Sequence, residues 1–235
     1  MVKCIVLTAM LLNHISQIFL TPGTLAAELL RGVGYCTAPT MCYFLVEGYH
    51  FTSSKKRYFM RLAVFALASQ IPFCLAFTSN GILSLLPGNM MFSLSLCFLL
   101  CHLLAKVQDK ALTIFGTALI VLASLFCDWS FMAPLFTVVF WYAYGSKKAT
   151  LAAFLFCMAI FGSVKYAIAK NALFVVLYVF GVLLSMILVC FLYSEKESRA
   201  ELSPHAKKLL HYGFYAFYPL HLVILGIFRI VLLGK

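Results

Sequence analysis

Long apolar runs separated by short polar breaks dominate the chain. The runs occupy nine ranges: 3–20, 33–51, 58–77, 89–105, 111–127, 131–145, 149–165, 171–193 and 211–233. A membrane-spanning helix needs about 20 mainly apolar residues, with a lower limit near 17, so most of these runs are long enough to span. The run at 131–145 is the least secure. The pattern predicts an all-α, polytopic transmembrane helical bundle with about nine spans.

Composition points to the same class of protein. Of 235 residues, 64% are hydrophobic and only 11% are charged. A soluble domain needs roughly a quarter of its residues charged to cover its water-facing surface, so we expect lipid to be the solvent of this chain. The length suggests one or two domains, and no internal repeat is visible. We therefore expect residues 1–235 to form a single integral membrane domain.

The distribution of charge predicts an orientation. Lys and Arg outnumber Asp and Glu by 18 to 7, but they lie in the short gaps between apolar runs. That pattern is typical of topology determinants beside anionic lipids, so no nucleic-acid partner is expected. If the N-terminus is cytoplasmic, five of the 18 basic residues fall outside: Arg31, Lys165, Lys170, Arg229 and Lys235. The other thirteen fall inside, which predicts a cytoplasmic-membrane protein with its N-terminus in and its C-terminus out. Lys165 and Lys170 fit poorly and leave open a missed or re-entrant segment.

Two histidines are predicted to share a depth in the membrane. His14 follows Asn13 and lies eleven residues beyond Lys3, or roughly 16 Å at 1.5 Å per residue. His221 lies ten residues beyond His211, or roughly 15 Å into the last span. A buried histidine often has only a structural hydrogen bond. Two at one depth favour a site instead, because imidazole suits proton transfer at neutral pH.

Glu47 is the one acidic residue that falls within a predicted span, about one turn from its inner end. Ionisable groups inside a membrane are costly and mark functional positions. We therefore consider Glu47 as a group that orients a base or balances an imidazolium. The alternative is a carboxylate that reaches the inner interface.

The densest basic cluster consists of Lys55, Lys56, Arg57 and Arg61. It either follows from the positive-inside rule or forms a cytosolic mouth that binds phosphates, as a poly-anionic ligand such as coenzyme A would require. The chain has no Walker, GxSxG or HExxH motif, and no metal site is predicted.

Five stretches, in order, carry a resemblance to a known family and together span nearly the whole sequence. They are VKCIVLTAMLLNHIS, RGVGYCTAPTMCYFLVEGYHFT, KKRYFMRLAVFALASQIPF, NMMFSLSLCFLL, and CDWS with the later FYPLHL. In these stretches the chain resembles the TraX family, whose founding member is the membrane acetylase of conjugative F pilin. The third stretch is the most specific.

The resemblance implies transfer of an acetyl group from acetyl-coenzyme A to an amine, with a pilin N-terminus as the acceptor type. It also implies kinship with membrane acyltransferases that use an intramembrane histidine. Where the family typically has an Asp-His pair, this chain has Asn13-His14. Asparagine cannot act as a charged partner, so Glu47 or a water would have to replace it.

These observations together predict a membrane acetyltransferase. Acetyl-coenzyme A would enter from the cytosol with its phosphates near Lys55, Lys56, Arg57 and Arg61. His14 or His221 would remove the proton of an amine or hydroxyl acceptor, either a membrane-inserted peptide such as pilin or a small molecule. The side-chain candidates for stabilising the oxyanion are Asn13, Gln70 and Asn89.

Two other functions remain open at this point. A small transporter or permease would also bury polar residues, but it predicts inverted repeats and paired broken helices, which are not visible. A non-enzymatic membrane scaffold predicts that the buried polar residues can be replaced with little functional loss.

Overall fold

The structure is a computed structural model that describes residues 2–77, 86–193 and 204–233, with the backbone alone for 204–211 and 233. The described residues form ten α-helices: α1 (Val2–Phe19), α2 (Leu25–Gly34), α3 (Thr37–Phe51), α4 (Lys55–Phe77), α5 (Met90–Lys106), α6 (Lys110–Ser124), α7 (Met132–Ala143), α8 (Lys147–Ala169), α9 (Ala172–Ile187) and α10 (Pro204–Leu233). A π-helical turn, Leu188–Leu192, continues α9. The predicted all-α fold is confirmed.

Each predicted apolar run overlaps a described helix, and several helices extend beyond their runs. The second run differs most in its bounds. It was predicted at 33–51, whereas helical structure begins at Leu25 and is interrupted at Tyr35 and Cys36. The amphipathic segment before the run has charged residues, Glu28 and Arg31, that hide it from a search for apolar stretches. Their side chains pair with each other inside the protein at 3.2 Å.

Among the described residues, five helices are long and apolar enough to cross a membrane: α1, α4, α8, α9 with its π-helical turn, and Tyr212–Leu232 of α10. The apolar helices α5, α6 and α7 are shorter, with 17, 15 and 12 residues. Their lengths at 1.5 Å per residue fall below the ~30 Å hydrocarbon core. The chain is therefore an integral membrane protein that combines full-length helices with shorter apolar ones.

The two ends of the bundle can be named from α1. We call the end at which α1 begins the near face and the opposite end the far face. The helices α4 and α10 run in the same direction, since Phe65 stacks on Tyr215 at 5.2 Å and Arg229 donates to the carbonyl of Leu75 at 3.1 Å. Helix α1 runs the same way, since Lys3 lies over the Phe214 ring at 5.7 Å and His14 contacts His221 farther along both helices. Helix α5 runs against α4 and returns to the near face.

Glycines allow α2 to pack closely against α1 and α9. A Cβ at Gly34 would lie 2.2 Å from the Cβ of Asn13, and one at Gly181 would lie 2.0 Å from the carbonyl oxygen of Gly32. Small residues permit this approach between membrane helices, where packing rather than water exclusion drives association. The α1–α2 contact fixes the rotation of α1 about its axis and so directs the residue after Asn13 toward α10.

The segment around Lys165 and Lys170 is an ordinary helix end rather than a re-entrant segment. Lys165 belongs to α8, and Lys170 ends that helix in a left-handed conformation with φ 50°. Helix α9 then begins at Ala172. The predicted polar connection at 194–208 lies mainly outside the described residues.

Candidate functional site

The structure brings His14 and His221 into direct contact. Nδ1 of His14 lies 2.7 Å from Nε2 of His221, and the two rings are parallel with centroids 5.0 Å apart. Both side chains are buried, with 5% and 4% of their surface exposed. The contact joins α1 to α10, helices from opposite ends of the chain.

The hydrogen-bond partners determine where the protons are. Nδ1 of His221 lies 2.7 Å from the carbonyl oxygen of Phe217, which can only accept. His221 therefore has its hydrogen on Nδ1, and in the neutral ring Nε2 is an acceptor. Nδ1 of His14 must then donate to it, which leaves Nε2 of His14 as an unprotonated nitrogen. This arrangement is that of a general base oriented by a second group.

Aromatic rings hold the two imidazoles in place. Phe77 meets His14 edge-on at 5.4 Å, and Phe217 stacks on His221 at 4.8 Å. Tyr218 contacts both, at 6.3 Å from His14 and 5.6 Å from His221. The tyrosine hydroxyl accepts from the backbone N–H of Met90 at 3.2 Å, so its own hydrogen can be donated elsewhere.

A cavity of about 390 Å³ leads from the near face toward this pair. Its far end is lined by Met10, one turn before His14, and by Tyr218. Lys3 and Arg61 line its near end. Methionine, leucine and aromatic side chains make up most of the walls between. The cavity therefore joins a cationic entrance to an apolar interior that ends at Tyr218. Neither histidine lines the cavity itself, but the Tyr218 ring contacts both.

Glu47 lies in this cavity but not beside the histidines. It is buried near the end of α3, and its Oε2 accepts from the hydroxyl of Tyr193 at 2.8 Å. Glu47 also lines the part of the cavity that contains Lys3 and Arg61. The structure places its carboxylate where it offsets the positive charge of the entrance.

The predicted basic cluster separates into three environments. Lys55 donates to the carbonyl oxygens of Tyr49 and Thr52, the latter at 3.0 Å, and so caps the end of α3. Lys56 and Arg57 are exposed at the start of α4. Arg61 alone among the four lines the cavity, and its Nε is buried with no hydrogen bond to the described residues.

Gln70 and Asn89 join two helices. The amide nitrogen of Asn89 donates to the carbonyl of Ala66 at 2.8 Å and to Oε1 of Gln70 at 2.9 Å, while its Oδ1 accepts from Met91 N–H at 2.9 Å. Both amide hydrogens of Asn89 are therefore in use. The side chain fixes the start of α5 against α4.

Asn13 also points away from the histidine pair. Its Oδ1 accepts from Gln17 at 3.0 Å, and its Cβ faces Gly34 of α2. Since successive helical residues point about 100° apart, Asn13 and His14 cannot both face α10.

Sequence reasoning missed Tyr218, which the structure places between the cavity and the histidine pair. The signal was present: Tyr218 precedes His221 by three residues, a spacing that puts two helical residues on the same face. It was overlooked because aromatic residues are common throughout the chain.

Fold and site together define an integral membrane protein with a buried histidine pair behind Tyr218, which lines the inner end of a cavity entered between basic side chains. The chain belongs to the TraX protein family, whose model matches residues 1–229. It is also similar to the probable fimbrial assembly protein FimC, serogroup H1, of Dichelobacter nodosus. The two are 32% identical over 237 residues, which cover 95% of this chain and 92% of that protein. No solved structure matches the chain.

Proposed function

We propose that the protein is a membrane acetyltransferase that moves an acetyl group from acetyl-coenzyme A to an acceptor amine. The observation that supports this most is the His14–His221 hydrogen bond behind Tyr218, the residue at the inner end of a cavity with a cationic entrance. Membership of the TraX family and similarity to a fimbrial assembly protein favour a pilin-type peptide as the acceptor class.

Acetyl-coenzyme A would bind with its phosphates at the near face. Arg61 and Lys3 line the cavity entrance, and the exposed Lys56 and Arg57 add positive charge around it. Phosphates pair well with such groups. The thioester arm would extend through the apolar part of the cavity toward Tyr218. This assignment makes the near face the cytosolic one, in agreement with the predicted orientation.

His14 would act as the base. The acceptor nitrogen attacks the thioester carbonyl carbon, a C–N bond forms, and Nε2 of His14 takes the proton released from nitrogen. His221 accepts the Nδ1–H of His14 throughout and stabilises the imidazolium. When the C–S bond breaks, the proton on His14 passes to the departing thiolate of coenzyme A. General base catalysis of this kind contributes about 10² to 10⁴ in rate.

Tyr218 would stabilise the negative oxygen of the tetrahedral intermediate. Its hydroxyl already accepts from Met90 N–H, which polarises the O–H and fixes its position. A donor placed in advance costs no reorganisation during the reaction. Tyr218 is a better candidate than Asn89, whose amide hydrogens are both used within the fold.

The test uses the full-length protein purified into lipid nanodiscs. Acetyl-coenzyme A binding is measured by calorimetry, and transfer is followed with radiolabelled acetyl-coenzyme A and a synthetic peptide that has a free amino terminus. We expect saturable binding that coenzyme A competes with, and label on the peptide that Tyr218→Phe reduces without weakening binding. Absence of acetyl-coenzyme A binding to a folded sample would contradict the proposal.

A further inference from the structure

The connection between α6 and α7 lies closer to the near face than the far end of α4 does. The backbone N–H of Asn89 donates to Gln70 at 3.0 Å, and α4 continues seven residues beyond Gln70 to Phe77, or roughly 10 Å. Asp128 lies at the depth of Asn89, because its N–H donates to the carbonyl of Gly88 at 2.7 Å. Asp128 is therefore inside the bundle rather than at its far surface.

Aromatic rings and a lysine lie next to Asp128 on the side of α8. Trp129 stacks on Phe161 with centroids 5.6 Å apart, and it meets Tyr35 edge-on at 5.5 Å. Lys165, one turn beyond Phe161, donates to the Tyr35 hydroxyl at 3.0 Å. We call Tyr35, Asp128, Trp129 and Lys165 the far-face cluster. All four residues are half-buried, so part of each is open at the surface of the described structure.

The two charged members of the far-face cluster attract each other without a direct ion pair. Lys165 is hydrogen-bonded to Tyr35, whose ring meets Trp129, the residue after Asp128, yet the only ion pair between described residues that the structure gives at this end joins Arg31 to Glu28. The Asp128 carboxylate has one hydrogen bond in the described structure, from Trp129 N–H to Oδ1 at 2.9 Å. A ligand that has a hydrogen-bond donor next to an acceptor could bridge the two, with its donor on the Asp128 carboxylate and its acceptor on the Lys165 ammonium.

The far-face cluster is linked to the proposed transfer site through the first turn of α5. The Ser93 hydroxyl donates to the carbonyl of Asp128, and one turn earlier Met90 N–H donates to Tyr218. Tyr218 in turn contacts both histidines. A group bound at Asp128 therefore lies close to the end of the cavity at which the thioester would arrive.

We propose that the far-face cluster binds the amino-terminal residue of a peptide acceptor, with Asp128 holding the amino group and Lys165 the first carbonyl oxygen. This inference rests on the proposed function and adds that donor and acceptor enter from opposite faces. A carboxylate accepts from an amino group, and an ammonium donates to a carbonyl. A free amino acid has the same two groups, so the test must separate it from a peptide.

The experiment compares peptide binding by full-length wild type, Asp128→Asn and Lys165→Gln in nanodiscs, where both faces are open. The probes are Ala-Gly-Ser-Gly-amide, its analogue lacking the amino group, and free alanine. Asparagine keeps Oδ1 as an acceptor for Trp129 N–H, so Asp128→Asn should fold normally. Lys170→Gln, an exposed position at the end of the same helix, is the matched control. Thermal midpoints and acetyl-coenzyme A affinity are measured on every sample.

We expect Asp128→Asn to weaken binding of the free-amine peptide at least ~10-fold, because the substitution removes a hydrogen bond to a charged group. Binding of the analogue lacking the amino group should be weak and unchanged. Lys165→Gln should weaken both peptides, Lys170→Gln neither, and acetyl-coenzyme A affinity should stay the same throughout.

Three results would overturn the inference: a change below twofold in Asp128→Asn, no detectable peptide binding by wild type, or free alanine binding as tightly as the peptide. Each leaves the proposed function to be judged separately by acetyl-coenzyme A binding and transfer. Conversely, peptide binding that depends on Asp128 in a protein that does not bind acetyl-coenzyme A would support the cluster and reject the acetyltransferase.

Discussion

Replacing Gly34 with alanine tests how closely α1 is held against α2. The new Cβ would lie 2.2 Å from the Cβ, 2.6 Å from the Cγ and 3.1 Å from the Cα of Asn13. Ordinary contact begins at 3.4 Å, so the helices must separate by about 1.2 Å, the difference between 3.4 and 2.2 Å. No rotation of the Asn13 side chain relieves this overlap, because neither Cα nor Cβ moves with χ1.

The free energy lost to this overlap is partly offset by the higher helix propensity of alanine. Overpacking of a close contact costs about 1–3 kcal/mol, while Gly→Ala within a helix gains up to ~1 kcal/mol. We expect a net loss of about 1–2 kcal/mol and a thermal midpoint lower by several degrees. Because His14 follows Asn13 on α1, the same shift would displace His14 relative to His221 and disturb their 2.7 Å hydrogen bond. Turnover should therefore fall by up to ~100-fold, the effect of a 1 Å misplacement.

The assay measures thermal midpoint and acetyl transfer on one purified sample. Gly213→Ala is the control, since a Cβ there meets no atom within 4 Å, and it should leave both quantities unchanged or raise the midpoint slightly. If Gly34→Ala matched wild type in midpoint and turnover, the close α1–α2 contact and its role in positioning His14 would both be refuted.

Three further outcomes are expected. A reporter fused after Lys235 should be extracytoplasmic, and a cytoplasmic signal would reverse the proposed orientation. Arg61→Gln should weaken acetyl-coenzyme A binding by several-fold in calorimetry, and more at low salt, where charges are less screened; equal affinity at all salt concentrations would remove Arg61 from the entrance. Lys55→Gln should lower the thermal midpoint and leave acetyl-coenzyme A affinity nearly unchanged, because Lys55 caps α3. An unchanged midpoint with weaker acetyl-coenzyme A binding would make Lys55 a phosphate ligand instead.

The apolar pattern was sufficient for the class of fold, because a membrane requires every backbone group to be satisfied within helices. It was not sufficient for α2. That helix contains Glu28 and Arg31, and its polar groups are satisfied inside the protein: Glu28 accepts from Tyr178, Arg31 and Gly23 N–H. Two of these donors are close in sequence, but Tyr178 is 150 residues away, and a pattern of apolar runs does not show that the fold brings it to Glu28.

For the candidate site, depth was predictable but rotation about a helix axis was not. Counting residues at 1.5 Å each placed His14 and His221 at one level, and the structure puts them in contact. The same counting could not show that Asn13 faces α2 or that Glu47 pairs with Tyr193. Those facts follow from which helices are neighbours, and the neighbours are set by close contacts such as that of Gly34.

The central claim is that His14 is the base, and His14→Ala tests it most directly. Acetyl-coenzyme A affinity, thermal midpoint and transfer rate are measured on the same sample, with His221→Ala in parallel. We expect turnover to fall at least ~100-fold in His14→Ala while acetyl-coenzyme A affinity is retained, and a smaller loss in His221→Ala. A folded His14→Ala protein with near-normal specific activity would contradict the account.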